Sequence, residues 1–188
     1  MRPWKSRPSL GRTGTKPVGA GPPVLIAALV GALVIHAFHH ADDRSPAEIQ
    51  GGIIGKAWVI DGDTIDISGY RIRLQGIDAP ESNQTCTASG NHLWPCGRTA
   101  TRVLVDHLAG QPVKCESSGL DRYRRVLAVC ALPDGSDVNA WLVQQGWALA
   151  YGYFSPYRSD EAEAHAAKRG IWAGSFMSPW EWRHRHLN

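Results

Sequence analysis

The sequence of 188 residues has no internal repeat, no low-complexity tract and little net charge. Its 43% hydrophobic and 20% charged residues exclude wholesale disorder, and 12 prolines with 20 glycines are too few for a fibrous protein. The length allows one domain of ordinary size with appendages.

The charge that is present is unevenly distributed. Five of the 20 Lys and Arg residues lie in the first twenty positions, where no acidic residue occurs. Residues 21–188 therefore carry 15 basic and 17 acidic groups, although the formal charge of the whole chain is +3. The basic character belongs to the N-terminal segment and does not indicate a folded part with a generally basic surface for nucleic acid.

Long hydrophobic runs are also scarce, and the candidate is the fifteen-residue run 24–38. A basic segment followed by an apolar stretch of this size is typical of a secretory signal or a signal anchor. We predict a basic cytoplasmic tail over 1–21 and an uncleaved membrane anchor over 22–40, because His39 suits the −3 position of a cleavage site poorly. The rest of the chain would then be extracytoplasmic, on the periplasmic side, or secreted if the segment is cleaved. A buried core helix is the alternative, but an apolar run without a polar face fits inside few small domains.

Cysteine is limited to four residues, and no two of them form a C-x-x-C motif, which argues against a four-cysteine metal site. An even number of cysteines in a chain predicted to be exported permits disulfides. Three pairings are possible. We favour Cys86–Cys96 and Cys115–Cys130, because each closes a short local loop and the second crosses a predicted hairpin.

The exported part begins with a strand-rich block. Asp61-Gly62 and Ser68-Gly69 are turn dipeptides between runs of β-branched residues. Helical spacing of apolar residues follows, and the element order reads β-β-β-α-β-β-α-α. The predicted strands are 55–60, 64–67, 70–77, 112–116 and 123–132; the predicted helices cover 100–108, a segment capped by Ser136 or Asp137, and a segment capped by Ser159.

This order predicts an α+β, mainly β domain over 52–175. A helix after the third of five short strands fits a five-stranded OB-type Greek-key barrel with three packed helices, preceded here by the N-terminal membrane-anchor helix. A polar linker over 41–51 joins the anchor helix to the barrel domain, and a Trp-rich basic tail over 176–188 is expected to pack back onto the domain.

The densest group of acidic residues comes from two neighbouring segments, V-I-D-G-D-T (59–64) and G-I-D-A-P-E (76–81). Their four carboxylates are hard oxygen ligands, which suit Ca²⁺ or Mg²⁺. The spacing is not that of an EF-hand. The plain alternative is that Asp-Gly forms a turn and the other acids are solvated.

Arginines make that alternative weaker. Arg73 lies shortly before the second acidic segment, and the run D-R-Y-R-R (121–125) supplies further guanidinium groups from another hairpin. A divalent ion held by carboxylates, together with arginines that fork phosphate oxygens, is what phosphodiester cleavage requires.

Residues 52–173 resemble the staphylococcal-nuclease-like (thermonuclease) family. Five motifs in the family's order carry the resemblance, and a closing helix ends in G-I-W. The motifs are V-I-D-G-D-T (59–64), R-x-x-x-x-D-x-P-E (73–81), D-R-Y-x-R (121–125), N-x-x-L-V-x-x-G-x-A (139–148) and A-Y-x-Y (150–153).

The resemblance implies a role for each matching residue. It implies that Asp63, Asp78 and the backbone carbonyl of Ala79 ligate Ca²⁺, with Asp61 acting through water. The implied catalytic residues are Arg73 and Arg125, which would bind phosphate, and Glu81, which would orient or deprotonate the attacking water. The implied substrate-binding residues are Arg122, Tyr123, Tyr151 and Tyr153. Unlike many members, the chain has no lysine in the loop after Glu81.

The expected function is therefore a Ca²⁺-dependent nuclease that hydrolyses single-stranded or frayed DNA and RNA. The resemblance implies 3′-phosphate ends, and contacts to phosphate carry little sequence selectivity. The membrane is an expected partner through the N-terminal segment, and no protein partner is evident. The alternatives are a non-catalytic OB module that binds nucleic acid or a protein, and a Ca²⁺-dependent structural domain.

Overall fold

The computed structural model describes residues 52–153 and 155–186. The predicted N-terminal cytoplasmic tail, the predicted anchor and the predicted linker lie outside these residues. No helix within the described ranges is long and apolar enough to cross a membrane.

The described residues form short strands and four α-helices. The strands are β1 (Ile53–Lys56), β2 (Trp58–Val59), β3 (Thr64–Ile67), β4 (Tyr70–Leu74), β5 (Ile77–Asp78), β6 (Cys86–Thr87), β7 (Leu93–Trp94), β8 (Pro112–Leu120), β9 (Val126–Ala131) and β10 (Leu149–Ala150). The helices are α1 (Cys96–Leu108), α2 (Val138–Gln144), α3 (Arg158–Ala166) and α4 (Pro179–His186), with a 3₁₀ turn at Gly170–Ala173.

Six strands form one sheet in the order β1-β8-β9-β4-β3-β2. The β4–β9 pair is parallel, and the other neighbours are antiparallel. β1 and β2 lie at opposite edges of the sheet although only Ala57 separates them, so the bent first strand closes the sheet into a nearly complete barrel. With β1 and β2 counted as one strand, this is the predicted five-stranded OB-type architecture, and the predicted strand 55–60 is replaced by two halves that bend at Ala57.

The barrel interior is filled by alternating side chains, as a strand period of two requires. Ile65 of β3 is the register partner of Ile72 of β4, and both are fully buried. Helix α1 adds Ala100, Leu104 and Leu108 at helical spacing to the buried residues. Burial of these β-branched and leucine side chains supplies the main driving force for folding.

Two predictions about helices are corrected, and one alternative is decided. The described part of the domain has four α-helices instead of three, and the additional helix, α4, lies in the predicted Trp-rich C-terminal tail. Ser178 and Glu181 form a capping box at its start: the Glu181 N–H donates to the Ser178 hydroxyl and the Ser178 N–H donates to the Glu181 carboxylate, each over 3.3 Å. α3 begins at Arg158, so Ser159 lies inside its first turn and does not cap it. Of the two caps considered for α2, Asp137 is the one that forms.

Both predicted disulfides are present. Cys115 and Cys130 are register partners in the β8–β9 pair and close the hairpin. Cys86–Cys96 joins β6 to the first residue of α1, so it holds the loop after Glu81 against the helix.

Candidate active site

The two acidic segments meet between the β2–β3 connection and β5. The carboxylate of Asp63 accepts a hydrogen bond from the backbone N–H of Ala79 over 2.9 Å and one from the Thr64 hydroxyl over 3.2 Å. A side chain at Gly62 would approach the Ala79 Cβ to 2.7 Å, so glycine is required there for the close approach of the two segments. Local turn chemistry thus brings together carboxylates that are fifteen residues apart in sequence.

Arg73 bridges the predicted metal ligands. It lies on β4 opposite Thr64, and its guanidinium pairs with Asp63 and donates to Asp78 Oδ1 over 2.9 Å. Burial alone would lower the pKa of Arg73, but the charges of Asp63 and Asp78 outweigh it and raise the pKa. Of the predicted residues, Asp63, Asp78 and Arg73 therefore form one cluster.

Asp61 lies beside this cluster and is partly buried. Its carboxylate accepts the backbone N–H of Asp63 over 3.1 Å. Burial, and next the charge of Asp63, raise the pKa of Asp61 from 3.8 to about 6. Asp61 thus belongs to the same electrostatic unit as the two predicted ligands.

Glu81 lies at a turn that is packed against the start of α1. Its backbone N–H donates to the side-chain oxygen of the fully buried Gln84 over 3.2 Å, and its carbonyl accepts the Gln84 N–H over 2.7 Å. A Cβ at Gly97 would lie 1.7 Å from the Glu81 carbonyl oxygen. The absence of a side chain at Gly97 therefore sets the position of Glu81.

A residue that the sequence analysis missed enters the site from the C-terminal helix. Arg183 of α4 donates to both carboxylate oxygens of Asp78, each over 3.0 Å, and to Glu81 Oε1 over 2.8 Å. These carboxylates, with the hydrogen bonds they accept, raise the pKa of Arg183 above its ordinary value although burial opposes the change. The S-x-x-E pattern at 178–181 would have indicated the helix, but no local pattern indicates a contact 105 residues away.

Arg125 is held by its own hairpin. Its Nε and Nη2 both lie 2.8 Å from Asp121 Oδ2, and Asp121 also accepts the backbone N–H groups of Tyr123 and Arg125. Burial alone would raise the pKa of Asp121, but these hydrogen bonds outweigh it and lower the pKa. Arg125 immediately precedes β9, whose first residue, Val126, is the register partner of Ile72, the neighbour of Arg73 on β4.

The predicted substrate-binding residues are exposed. Tyr123 and Tyr153 are 65% and 86% exposed, and the Arg122 guanidinium lies 4.9 Å from the Tyr123 ring centroid. The Tyr151 N–H donates to the carbonyl of Gly76 over 2.8 Å, because β10 pairs with β5 directly beside Asp78. Tyr151 is therefore the predicted pocket residue whose backbone is tied to the acidic segment.

The oxygen atoms of this cluster are potential ligands for a hard divalent cation. Among the described residues, no three His, Cys, Asp or Glu side chains are grouped so that they could hold a metal ion. Asp63 and Asp78, however, both form ion pairs with the Arg73 guanidinium, and Asp78 also pairs with Arg183. The guanidinium groups therefore occupy positions where a metal cation would be attracted. Two carboxylates completed by main-chain oxygen, water and substrate fit Ca²⁺, which accepts such mixed oxygen ligands.

A family model described as "Staphylococcal nuclease homologue" matches residues 71–174, which include every predicted site residue except Asp61 and Asp63. Arg183 lies beyond the matched range.

Three relatives have similarity over most of the chain. A succinoglycan biosynthesis protein, ExoI, of Rhizobium meliloti (strain 1021) is 37% identical over 166 residues, which is 87% of this chain and 78% of that protein. An uncharacterized endonuclease of Escherichia coli is 35% identical over 150 residues, 74% of this chain and 88% of that protein. A micrococcal nuclease of Shigella flexneri is 31% identical over 160 residues, 76% of this chain and 84% of that protein.

Proposed function

The chain belongs to the staphylococcal nuclease homologue family, and we propose that it is a Ca²⁺-dependent nuclease that hydrolyses single-stranded or frayed DNA and RNA. The observation that carries the proposal is the cluster in which Arg73 joins the carboxylates of Asp63 and Asp78, with Glu81 tied to the same cluster through Arg183. A candidate base, Glu81, and a phosphate-binding group, Arg73, thus belong to one cluster, as hydrolysis of a phosphodiester requires.

The chain's own residues account for binding and proton transfer. Arg73 and Arg125 donate to the phosphoryl oxygens and stabilise the charge that grows on them in the transition state. The Glu81 carboxylate orients a water molecule for in-line attack on phosphorus and accepts its proton. The bond between phosphorus and the 5′ oxygen breaks as the bond to the attacking water oxygen forms; the 5′ oxygen leaves with the electron pair and takes a proton from solvent water, and a 3′-phosphate end remains.

Ca²⁺ would be held by Asp63, Asp78 and the carbonyl of Ala79, with Asp61 acting through water. Bound there, the ion supplies Lewis-acid polarisation of the phosphoryl group. The exposed aromatic rings of Tyr123, Tyr151 and Tyr153 are suited to stacking on an unpaired nucleotide. Contacts of these kinds carry little sequence information, so low selectivity is part of the proposal.

We further propose that this domain acts outside the cytoplasm, on the periplasmic side, anchored by segment 22–40 or secreted after its cleavage. The two disulfides support this, because such bonds persist in oxidising compartments.

A cleavage assay with a matched pair of variants tests the activity. Glu81→Gln removes the proposed base, and we expect kcat on single-stranded DNA to fall by about 10²–10³-fold. Glu116→Gln is the control, since Glu116 is an exposed acid on β8 that pairs with Lys114; it is expected to keep wild-type activity. Removal of Ca²⁺ with a chelator is expected to abolish cleavage, and added Ca²⁺ to restore it.

Two results would contradict the proposal. A folded Glu81→Gln protein with wild-type kcat would remove Glu81 from the reaction, and undiminished cleavage in excess chelator would eliminate the metal. Labelling of the product ends, with and without prior phosphatase, tests the 3′-phosphate. A chain that binds single-stranded nucleic acid without cleaving it would be the non-catalytic OB module.

A further inference from the structure

The C-terminal segment is fastened to the disulfide loop just before α4 begins. Thr87 and Ser175 form a two-way backbone bridge with N–H···O distances of 2.8 and 2.9 Å. The side chain of buried Gln84 donates to the carbonyl of Met177 over 2.7 Å. A Cβ at Gly174 would lie 2.0 Å from the Thr87 carbonyl oxygen, so the two backbones approach as closely as glycine allows. The base of α4 is therefore fixed by main-chain contacts.

The middle of the same helix reaches the acidic cluster through one side chain, that of Arg183, the fifth of its eight residues. The Arg183 guanidinium donates one hydrogen bond to each carboxylate oxygen of Asp78. One of its two nitrogens, Nη1, also donates to Glu81 Oε1. Asp78 is only 2% exposed, whereas the Arg183 side chain keeps 28% of its accessible surface. The carboxylate is thus fixed in the barrel, and the guanidinium that neutralises it approaches from the solvent side.

We propose that Arg183 is an internal counter-cation that competes with a divalent metal ion for Asp78 and Glu81, so that its side chain is a latch on the acidic cluster, while α4 itself stays packed through the buried Trp182. The inference rests on the proposed use of this cluster to hold Ca²⁺. Both oxygens of Asp78 are hydrogen-bonded to Arg183, and one of them also accepts from Arg73. An ion that takes an oxygen of Asp78 displaces a charge-assisted hydrogen bond, and the two positive charges repel each other at such distances.

Competition of this kind is reciprocal. If docking of Arg183 weakens binding of the ion, then binding of the ion weakens docking of Arg183 by the same factor. Coupling between two sites in proteins is commonly about 5- to 150-fold in affinity. Since Arg183 is partly exposed, we expect the lower part of this range, about 10-fold.

Calcium titration of the full chain tests the latch without recourse to cleavage. Isothermal calorimetry on the chelator-treated protein gives the Ca²⁺ Kd of wild type, Arg183→Ala and Arg185→Ala. Arg185 is an exposed residue of the same helix and carries the same charge, so its variant controls for the general loss of a positive charge. We expect the Kd of Arg183→Ala to be about 10-fold lower than that of Arg185→Ala. Arg183→Lys, which keeps the charge and loses the fork, is expected to give an intermediate Kd and serves if the alanine variant does not fold.

The outcomes separate this inference from the proposed function. Equal Kd values for the Arg183 and Arg185 variants, a weaker Kd for Arg183→Ala, or no measurable Ca²⁺ binding in any of the proteins would overturn the latch. Cleavage by all variants with equal Kd values would leave the nuclease and remove the latch. Tighter Ca²⁺ binding in Arg183→Ala without cleavage by any variant would support the latch and remove the nuclease.

Discussion

Gly97 offers a sharp test of how the proposed base is positioned. It is the second residue of α1 and is fully enclosed between the helix and the turn at Glu81. In an unobstructed helix, replacing glycine by alanine stabilises by about 1 kcal/mol. Here the sign should reverse, because the new methyl group would lie 1.7 Å from the Glu81 carbonyl oxygen and 2.6 Å from its carbon.

The geometry sets the size of the effect. Non-bonded carbon contacts settle at about 3.5–4.0 Å, so the helix and the turn must separate by about 1–2 Å. The Cys86–Cys96 bond ties the helix residue before Gly97 to β6, which leaves the Glu81 turn as the part that yields. Overpacking of this kind costs about 1–3 kcal/mol, and a displacement of about 1 Å at a reacting group lowers a rate by about 10²-fold.

Two measurements on Gly97→Ala follow from this, and Val105→Ala is the control, because Val105 is exposed on the same helix. Urea unfolding is expected to show about 1–2 kcal/mol less stability, and cleavage of single-stranded DNA about 10²-fold lower kcat; the control is expected to change neither by much. A Gly97→Ala protein as stable and as active as the wild type would refute the argument that close packing at Gly97 positions Glu81.

Two further predictions concern stability. Asn139 is fully buried, donates to the carbonyls of Gln75 and Ala128 and accepts from the Cys130 N–H. Asn139→Leu is therefore expected to lower the free energy of unfolding in urea by about 3–5 kcal/mol. A loss below about 1 kcal/mol would contradict this. The raised pKa of Asp61, about 6 against 3.8, means that the native state holds a proton more tightly than the unfolded chain, so the metal-free protein is expected to lose stability as pH rises from about 4 to about 6. Asp61→Asn should abolish this slope and gain about 1–3 kcal/mol at pH 7 in chelator; an unchanged slope would show that another group causes it.

Much of the barrel could be predicted from local sequence signals. Turn dipeptides at 61–62 and 68–69 separate runs of β-branched residues, and these runs form strands. The bend at Ala57 could not be predicted in this way, because it depends on which neighbours the two halves of the first strand find. α4 was not predicted, because the Trp-rich composition of 176–188 was interpreted as a tail although the S-x-x-E pattern at 178–181 is a capping box.

The acidic cluster was predictable for a different reason. Asp63 directly precedes β3 and Asp78 ends β5, and the segment after Asp78 contacts Asp63 through the Ala79 N–H; motif order identified both residues without coordinates. The pairing of Arg125 with Asp121 had a local signal, since an aspartate at the first position of a tight turn commonly accepts backbone N–H groups two residues on. The contact of Arg183 with Asp78 had none, because it depends on the path of the chain through α2, α3 and the loop at Thr87.

The two arginines of the cluster differ in how firmly the fold holds them, so the cluster has a fixed part and an exchangeable part. Four carboxylates, those of Asp61, Asp63, Asp78 and Glu81, lie close to two guanidinium groups. Arg73 lies on β4 and its side chain is 13% exposed, whereas the Arg183 side chain on α4 keeps 28% of its accessible surface. A buried carboxylate without a counter-charge is costly, so Asp78 needs a second cation whenever Arg183 withdraws. Exchange of a guanidinium for a divalent ion adds one positive charge to the cluster, and that is the change a phosphate needs before it can approach four carboxylates.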